Sequence, residues 1–271
     1  MAEAGLDHFV TLCGLRLHYV DWGGHGPPLL LLHGLQDCAR MWDFFAPKMT
    51  PHCRVLGLDH RGHGDSQWTP DHHYSLMDYV AEVGEVVDAL GLQEPAILGH
   101  SAGGKNAFIY AAQETARLTK LVIVDMDPDA YNPGSRQMFS RYTVEGDEWE
   151  SLDAVVERLR LRESHAPEET LRHHAEVLTN GLPGGRRIWK RDRGVVDNYE
   201  RPDAWHYLPK VRVPTLIIRG AESSLLTHDV AVRMQRAIPD CRLVELPTGG
   251  HWAHEEDPEV FELAVKEFLL E

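Results

Sequence analysis

The sequence predicts an α/β protein with a mostly parallel sheet that is flanked by helices on both faces. Short, continuous apolar runs, such as PLLLLH at 28–33 and LVIVD at 121–125, are typical of strands that are buried on both sides. Helix-length segments with an apolar face lie between the later runs. Alternation of strand and helix indicates a parallel sheet, because each crossover has to return the chain to the same edge.

Eight strands and four main helices are predicted. The strands are expected at 8–14, 16–21, 28–33, 53–58, 95–99, 120–125, 214–219 and 241–246, and the helices at 75–91, 101–114, 229–238 and 258–270. The first two strands are separated only by Gly14-Leu15 and suit an antiparallel hairpin. Asp257 is the expected N-cap of the last helix, because Pro258 suits the first helical position.

One segment interrupts this alternation. Between 128 and 209 the sequence has charged helical patterns and turn signals but no buried-strand pattern. The spacing predicts amphipathic helices at 150–163 and 167–179. We therefore predict a core of residues 1–127 and 210–271 with a helical lid inserted at 128–209, since insertions between core strands commonly cover active sites.

The charge balance restricts the class of partner. Acidic side chains outnumber basic ones, 42 to 27, and give a formal net charge of −15. Nucleic acids and anionic membranes attract concentrated basic surfaces, so neither is an expected partner. Residues 1–10 contain acids where a secretory signal has bases, and the longest apolar run, 27–32, is too short to span a bilayer. The four cysteines have no paired spacing, and a cytoplasmic location is the default expectation.

The strongest chemical motif is Gly99-His100-Ser101-Ala102-Gly103, which matches G-x-S-x-G between a predicted strand and a predicted helix. A serine on such a strained turn projects its hydroxyl clear of the sheet, and small residues two positions away relieve crowding. The N-terminus of the following helix favours developing negative charge. Ser101 is therefore the expected nucleophile.

A second motif, LLLLHGLQD at 29–37, places a His-Gly pair after an apolar strand. We expect the amides of Leu35 and Ala102 to form an oxyanion hole, in which each donor contributes about 10²–10³ in rate. His33 is expected to brace this loop rather than to transfer protons.

A third motif follows the last predicted strand, where LPTGGH ends at His251. A histidine in a glycine turn can reach over the sheet edge, so His251 is the expected general base. The other histidines that could act as metal ligands are His254, His60, His63, His72, His73, His173 and His174. None has the glutamate of an H-E-x-x-H helix or a cysteine partner, so we expect surface or loop positions and no metal.

With these motifs, DHRGHGDS at 59–66 resembles the D-x-R-G-x-G-x-S segment of the α/β-hydrolase superfamily, and the resemblance extends over nearly the whole chain. It is greatest to lid-bearing esterases, lactonases and carbon–carbon bond hydrolases. Because the nucleophile position holds Ser101, the chain does not resemble epoxide hydrolases or haloalkane dehalogenases, which have aspartate there. The resemblance implies an α/β-hydrolase fold and a catalytic triad that needs no cofactor.

The acid of the triad is where the sequence departs from the family. Relatives most often place an aspartate after the seventh strand, but those positions are Ser223 and Ser224 here. We prefer Asp125, at the end of the sixth predicted strand, where some family members keep their acid. Glu222, one residue early in the customary loop, is the alternative, and a Ser–His dyad is the third.

These features together predict hydrolysis of a neutral, moderately hydrophobic ester or lactone through an acyl-enzyme. A carbon–carbon bond hydrolase would use the same residues. A receptor-like member of the fold with slow turnover is the alternative from a different class. In each case the partner is a small molecule, and the sequence leaves the oligomeric state open.

Overall fold

The computed structural model describes residues 5–113 and 117–271. Its strands are β1 (Leu6–Leu12), β2 (Leu15–Gly23), β3 (Pro28–Leu32), β4 (Arg54–Leu58), β5 (Ala96–His100), β6 (Leu121–Val124), β7 (Glu148–Trp149), β8 (Thr179–Gly181), β9 (Arg187–Trp189), β10 (Thr215–Gly220) and β11 (Cys241–Leu246). Its helices are α1 (Ala46–Met49), α2 (Leu76–Ala89), α3 (Ala102–Gln113), α4 (Pro133–Val144), α5 (Leu152–Arg160), α6 (Glu168–Val177), α7 (Gly194–Asp197), α8 (His228–Ala237), α9 (Ala253–Glu256) and α10 (Pro258–Leu270).

Eight of the strands form one sheet in the order β1-β2-β4-β3-β5-β6-β10-β11. The pairs β1–β2 and β2–β4 are antiparallel, and the pairs from β4 to β11 are parallel. The predicted mostly parallel, eight-stranded sheet is thus confirmed. Because the parallel strands end at the same edge, the loops that follow β3, β5, β6 and β11 can meet there.

Apolar helices cover both faces of this sheet. On one face α2, α3 and α8 bury Val83, Phe108 and Met234 among the leucines of the strands. On the other face α1 and α10 contribute Met49 and Phe261 to a second cluster. The continuous apolar runs therefore correspond to strands buried on both sides, as the sequence predicts. In the described ranges, no helix is long and apolar enough to cross a membrane.

The predicted boundaries need small corrections. The hairpin turn lies at Cys13-Gly14, one residue earlier than expected, because both residues adopt the positive φ (48° and 79°) that a tight hairpin turn uses. The predicted helix 101–114 corresponds to α3, and residue 114 lies outside the described residues. Asp257 is the N-cap residue of α10, as predicted, but its side chain makes no capping hydrogen bond, and its carboxylate accepts from Thr248 Oγ1 at 2.9 Å.

The segment 128–209 folds outside the central sheet. The two predicted amphipathic helices are present as α5 and α6, and the insertion also contains three short strands that the sequence did not predict. Strands β7, β9 and β8 form a separate antiparallel sheet. Each has only two or three residues, too few to produce an alternating pattern in the sequence.

Two sets of contacts hold the insertion on the core. Its apolar side chains, among them Val155 and Leu171, pack with Met41. At its base, the buried Lys105 of α3 donates from Nζ to the carbonyls of Asp129 (3.2 Å) and Pro202 (2.7 Å), near the two ends of the segment. The insertion is therefore fixed over the edge where the parallel strands end.

Candidate active site

The turn between β5 and α3 shows why the motif needs glycines. Ser101 has a φ of 52°, in the left-handed region that strains a residue with a side chain. A Cβ on Gly99 would lie 2.4 Å from the Gly103 carbonyl oxygen, and a Cβ on Gly103 would lie 2.6 Å from that of His33. Only glycine permits this close approach, which directs the Ser101 side chain away from the sheet.

His251 reaches Ser101 from the loop after β11. Its Nε2 lies 2.9 Å from Ser101 Oγ, a distance at which the hydroxyl donates to the ring nitrogen. The loop is held close to the sheet because Gly249 adopts a φ of 90°. A Cβ on Gly220 would lie 2.3 Å from the Gly249 carbonyl oxygen, so this approach also depends on glycine.

Asp125, the residue after β6, lies on the other side of the His251 ring. His251 Nδ1 donates to Asp125 Oδ1 at 2.8 Å, a normal hydrogen-bond distance. The carboxylate also accepts from Ser223 Oγ at 2.6 Å and from the Gly220 amide at 3.3 Å. Asp125 is fully buried, so these donors replace the water that it lacks.

Ser223, at the position where relatives most often have the acid, thus binds an acid that follows the neighbouring strand, Asp125. Ser223 Oγ donates to Asp125 and accepts from the amides of Leu225 and Leu226, each at 3.2 Å. The alternative acid, Glu222, is exposed and lies 3.1 Å from His165 Nε2. The structure therefore brings Asp125, and not Glu222, to His251.

Burial sets the protonation of this pair. It lowers the pKa of His251 to about 3, so that the free imidazole is neutral and can accept a proton. Burial also raises the pKa of Asp125 to about 8, while hydrogen bonds from Ser223 and Gly220 act in the opposite direction. A neutral histidine between a serine hydroxyl and a carboxyl group can act as a general base.

The two expected oxyanion donors lie on either side of Ser101. Ala102 is the first residue of α3, and Leu35 follows Gly34, on which a Cβ would lie 3.2 Å from Ser101 Cβ. Neither amide donates to an acceptor within the described residues. The loop is braced as expected, since buried His33 contacts the Gly34 carbonyl through Nδ1 at 2.7 Å and accepts from the His60 amide at 3.1 Å.

A cavity of about 210 Å³ lies between the insertion and the core, with His251 in its wall. Its other walls include Met138 and Tyr142 of α4 and three arginines, Arg141, Arg158 and Arg162. Arg158 pairs with Glu145, and Arg162 pairs with Asp37 and Glu163. The exposed carboxylate of Glu222 also lies in this wall. Arg141 is exposed too, and it is the arginine of the wall that has no ion pair among the described residues.

A family model described as the alpha/beta hydrolase fold matches residues 27–258. The chain belongs to the α/β-hydrolase family. It is 29% identical over 263 residues to N-formylmaleamate deformylase of Pseudomonas putida, covering 96% of this chain and 95% of the relative. It is also 29% identical over 276 residues to the sn-1-specific diacylglycerol lipase of Mus musculus, covering 94% and 85% respectively.

The crystal structure of E-2-(acetamidomethylene)succinate hydrolase has the same fold as this α/β-hydrolase. The two superpose with a TM-score of 0.91 at 23% identity, covering 98% of this chain and 100% of the other. Because the named relatives are hydrolases, the comparisons support an enzymatic function for this family member.

Several histidines of this α/β-hydrolase are buried. His60 and His63 lie in a loop, as expected, but His174 and His254 lie in helices, which contradicts the expected surface or loop positions. His60, His63, His174 and His254 are each at most 5% exposed. His60 Nδ1 lies 3.0 Å from a Glu82 oxygen, and His174 Nδ1 lies 3.0 Å from a Glu163 oxygen. No local spacing in the sequence indicates these pairs, because the acids lie on other elements.

Two clusters within the described ranges have donor atoms close enough to hold a metal ion, namely His18 with Asp59 and Asp65, and Glu163 with His174 and Glu255. Neither includes a residue of the candidate triad. Asp59 already accepts from His18 Nδ1 at 2.7 Å and from two backbone amides, so the first cluster is internally satisfied.

A polar link between the insertion and the loop of His251 was also not predicted from the sequence. Arg162 donates to Asp37 Oδ1 at 2.8 Å, and the other Asp37 oxygen lies 3.9 Å from His100 Nδ1. Burial lowers the pKa of His100 to about 3, so the ring is neutral and donates from Nε2 to the His251 carbonyl at 2.8 Å. This link fixes the backbone of the histidine loop. No local spacing could indicate it, since Arg162 and Asp37 are 125 positions apart.

Proposed function

We propose that this α/β-hydrolase is a serine hydrolase that cleaves an ester or lactone through an acyl-enzyme. The proposal rests on two consecutive hydrogen bonds, from Ser101 to His251 at 2.9 Å and from His251 to Asp125 at 2.8 Å. No metal or other cofactor takes part in the proposed reaction, because a base-activated serine supplies the nucleophile.

The proposed first half-reaction forms the acyl-enzyme. Ser101 Oγ attacks the carbonyl carbon while His251 Nε2 takes its proton, and the carbonyl oxygen becomes an oxyanion between the amides of Leu35 and Ala102. The intermediate collapses as His251 returns the proton to the leaving alkoxide. Asp125 keeps the Nδ1–H tautomer of the ring and stabilises the imidazolium.

The proposed second half-reaction repeats these steps with water. His251 takes a proton from the water that attacks the ester of Ser101, and then returns it to Ser101 Oγ as the acid product leaves. We propose that residues 128–209 act as the lid, since this segment packs Tyr142, Val195 and Val196 against the two oxyanion residues.

Covalent labelling tests the nucleophile. A fluorophosphonate should add to Ser101, and mass spectrometry of the labelled peptide should place the adduct there. Ser101→Ala should lose both labelling and turnover of p-nitrophenyl esters. An adduct on another serine, or turnover that survives in Ser101→Ala, would refute the assignment.

A second candidate function is hydrolysis of an acyl–nitrogen bond in an anionic substrate. The arginines in the wall of the 210 Å³ cavity favour it, because an unpaired guanidinium such as that of Arg141 binds carboxylates. The Pseudomonas relative is named for removing a formyl group from N-formylmaleamate, itself a carboxylate. The mouse relative is named as a lipase, which favours neutral esters instead.

Matched substrates separate the two candidates. If the substrate is a neutral ester, kcat/KM for p-nitrophenyl esters should rise with chain length until the cavity is full. Each buried CH₂ should lower the activation free energy by up to about 0.8 kcal/mol. For the anionic reading, a p-nitrophenyl ester with a terminal carboxylate should exceed a neutral ester of equal length. That advantage should disappear in Arg141→Ala and persist in Arg136→Ala, an arginine of the same helix outside the cavity wall.

A further inference from the structure

The loop that carries Leu35 contains a turn with one residue in a strained conformation. The Asp37 amide donates to the Gly34 carbonyl at 3.2 Å, which closes a four-residue turn over 34–37. Gln36, the third residue of this turn, has a φ of 68°. Glycine suits this left-handed conformation, whereas a residue with a side chain adopts it only when its surroundings hold it there. A contact from outside the turn is therefore needed to stabilise Gln36.

This turn directs the Leu35 amide, one of the two proposed oxyanion donors. The Gly34 carbonyl and the Leu35 N–H belong to one planar trans peptide, so they point in opposite directions. The carbonyl side is fixed, since it accepts from the Asp37 amide and contacts His33 Nδ1 at 2.7 Å. The N–H on the other side donates to no acceptor among the described residues. The direction of this donor therefore depends on the conformation of the turn at Gln36.

The side chain that holds Gln36 comes from the insertion. Arg191 Nε donates to Gln36 Oε1 at 2.9 Å, and Arg191 is only 4% exposed. Its Nη1 lies 2.6 Å from Asp147 Oδ1, so its charge is paired within the insertion. The next residue ties the backbone to the core, because the Asp192 amide donates to the Gly62 carbonyl at 2.8 Å. Arg191 is therefore a fixed donor rather than a mobile surface side chain.

A second arginine of the insertion contacts the same turn, but it also contacts the loop of His251. Arg162 donates to Asp37 Oδ1 at 2.8 Å, and its guanidinium carbon lies 4.5 Å from the centre of the Trp252 ring. Substitution of Arg162 would disturb both loops at once. Arg191, by contrast, has no hydrogen bond or ion pair to the loop of His251 in the described part of the chain. An effect of Arg191 on catalysis would thus be transmitted through the turn.

We propose that Arg191 is a positioning residue of the oxyanion hole. Its hydrogen bond to the side chain of Gln36 keeps that residue in the left-handed conformation, and so keeps the Leu35 N–H directed at the oxyanion that forms from the substrate carbonyl. This role rests on the proposed serine hydrolase mechanism. It adds that one donor of the hole is set by the insertion, so that packing of the insertion on the core contributes to stabilisation of the transition state.

Two substitutions of Gln36 separate its backbone conformation from its side chain. Gln36→Ala removes the acceptor for Arg191 but leaves a residue that disfavours a φ of 68°. Its kcat for p-nitrophenyl esters should fall about tenfold or more, towards the roughly 10²-fold effect of a lost oxyanion donor. Gln36→Gly also removes the acceptor, but glycine adopts this φ without strain, so kcat should stay within about threefold of the unmodified protein. KM should change by less than about threefold in both, because the donor acts mainly in the transition state.

Substitution of Arg191 tests the donor. Arg191→Ala should lower kcat about tenfold or more in the unmodified chain, but by less than about threefold in the Gln36→Gly background. Arg186→Ala, at an exposed arginine of the insertion that pairs with Glu148, is the matched control and should leave kcat unchanged.

A trifluoromethyl ketone provides a second measurement, which reports on the oxyanion hole directly. Ser101 Oγ adds to the carbonyl carbon of the ketone while His251 takes the proton, and the carbonyl oxygen becomes an oxyanion in the hole. The inhibition constant should therefore rise in Gln36→Ala and in Arg191→Ala in parallel with the loss of kcat, and stay within about threefold in Gln36→Gly.

Circular dichroism and urea unfolding verify the fold of each variant. A purely structural role of Arg191, through its pair with Asp147, predicts the same loss of kcat in both Gln36 backgrounds, and that result would overturn the proposal. Unchanged kcat in Gln36→Ala, or equal losses in Gln36→Ala and Gln36→Gly, would overturn it as well, and this comparison decides the question if Arg191→Ala does not fold. Turnover that survives in Ser101→Ala would instead contradict the proposed function. Labelling of Ser101 by a fluorophosphonate, together with unchanged kcat in Gln36→Ala and Arg191→Ala, would refute the positioning role alone.

Discussion

Replacement of Asp125 by asparagine removes the ionisable carboxyl group of the candidate triad while the size of the side chain is kept. The carboxylate accepts from three donors, His251 Nδ1 at 2.8 Å, Ser223 Oγ at 2.6 Å and the Gly220 amide at 3.3 Å. An asparagine amide has one oxygen and one NH₂ group, so at least one of these donors would face another donor. The variant therefore loses both the ionisable group and part of the hydrogen bonding.

The expected loss in kcat for Asp125→Asn is about 10⁴, because the imidazolium loses its counter-charge and an NH₂ group facing His251 would fix the wrong tautomer. Ser223→Ala removes one hydrogen bond to the carboxylate, so a loss of about tenfold is expected. Glu222→Gln is the matched control in the adjacent loop position. Since Glu222 is exposed and contacts His165, its kcat should stay within about twofold of the unmodified protein.

The assay is release of p-nitrophenol from a saturating ester, with circular dichroism to verify that each variant is folded. A larger loss of kcat in Glu222→Gln than in Asp125→Asn would show that the acid is Glu222, in the loop after β10. A kcat for Asp125→Asn within about tenfold of the unmodified protein would show that the carboxylate is not the acid of a triad, and would favour a Ser–His dyad.

Three further predictions concern the base His251, its titration, and the turn between β5 and α3 that carries Ser101. His251→Ala should stay folded but lose about 10³ or more in kcat, since a serine without its base is a poor nucleophile at neutral pH; a smaller loss in the p-nitrophenol assay would contradict the role. Because burial lowers the pKa of His251 to about 3, the ring stays neutral as the pH falls through 6.5, and the acidic limb of kcat/KM against pH that reports this ring should lie below that value. A limb near 6.5 would refute this, whereas a limb near 8 would report the ionisation of Asp125. Gly99→Ala should destabilise the protein by about 2 kcal/mol or more in urea unfolding, because the new Cβ would lie 2.4 Å from a carbonyl oxygen. Gly146→Ala, where no atom lies within 4 Å of a new Cβ, should stay within about 0.5 kcal/mol, and equal effects of the two would count against the steric argument.

The parts of the site that depend on a few neighbouring residues could be predicted from the sequence. The turn that carries Ser101 is one, because Gly99 is required by its close approach to Gly103 within the same turn. The loop that carries Leu35 and the glycine turn before His251 could also be predicted, since each follows a strand whose apolar run is visible in the sequence. The sheet was predicted for the same reason, and only its boundaries needed correction.

The identity of the residue that contacts His251 depended on the tertiary structure. Asp125 and Glu222 are both carboxylates at strand ends, and the sequence favours Asp125 but leaves Glu222 open as the alternative. The choice follows from the pairing of β6 with β10, in which the Asp125 amide donates to the Ile218 carbonyl at 2.8 Å. This pairing places the end of β6 beside Ser223, whose hydroxyl binds the carboxylate, and directs Glu222 into solvent.

The buried polar groups and the arginines beside the cavity also required the folded chain. His174 and Glu163 lie in a segment with an ordinary charged helical pattern, which the sequence presents as solvent-facing. Its small sheet has strands too short to alternate, so no periodic signal exists. Local spacing determines turns, caps and strand runs, because their contacts span few residues. Which charged groups meet in the interior is decided by contacts between distant segments, and these exist only once the insertion has packed on the core.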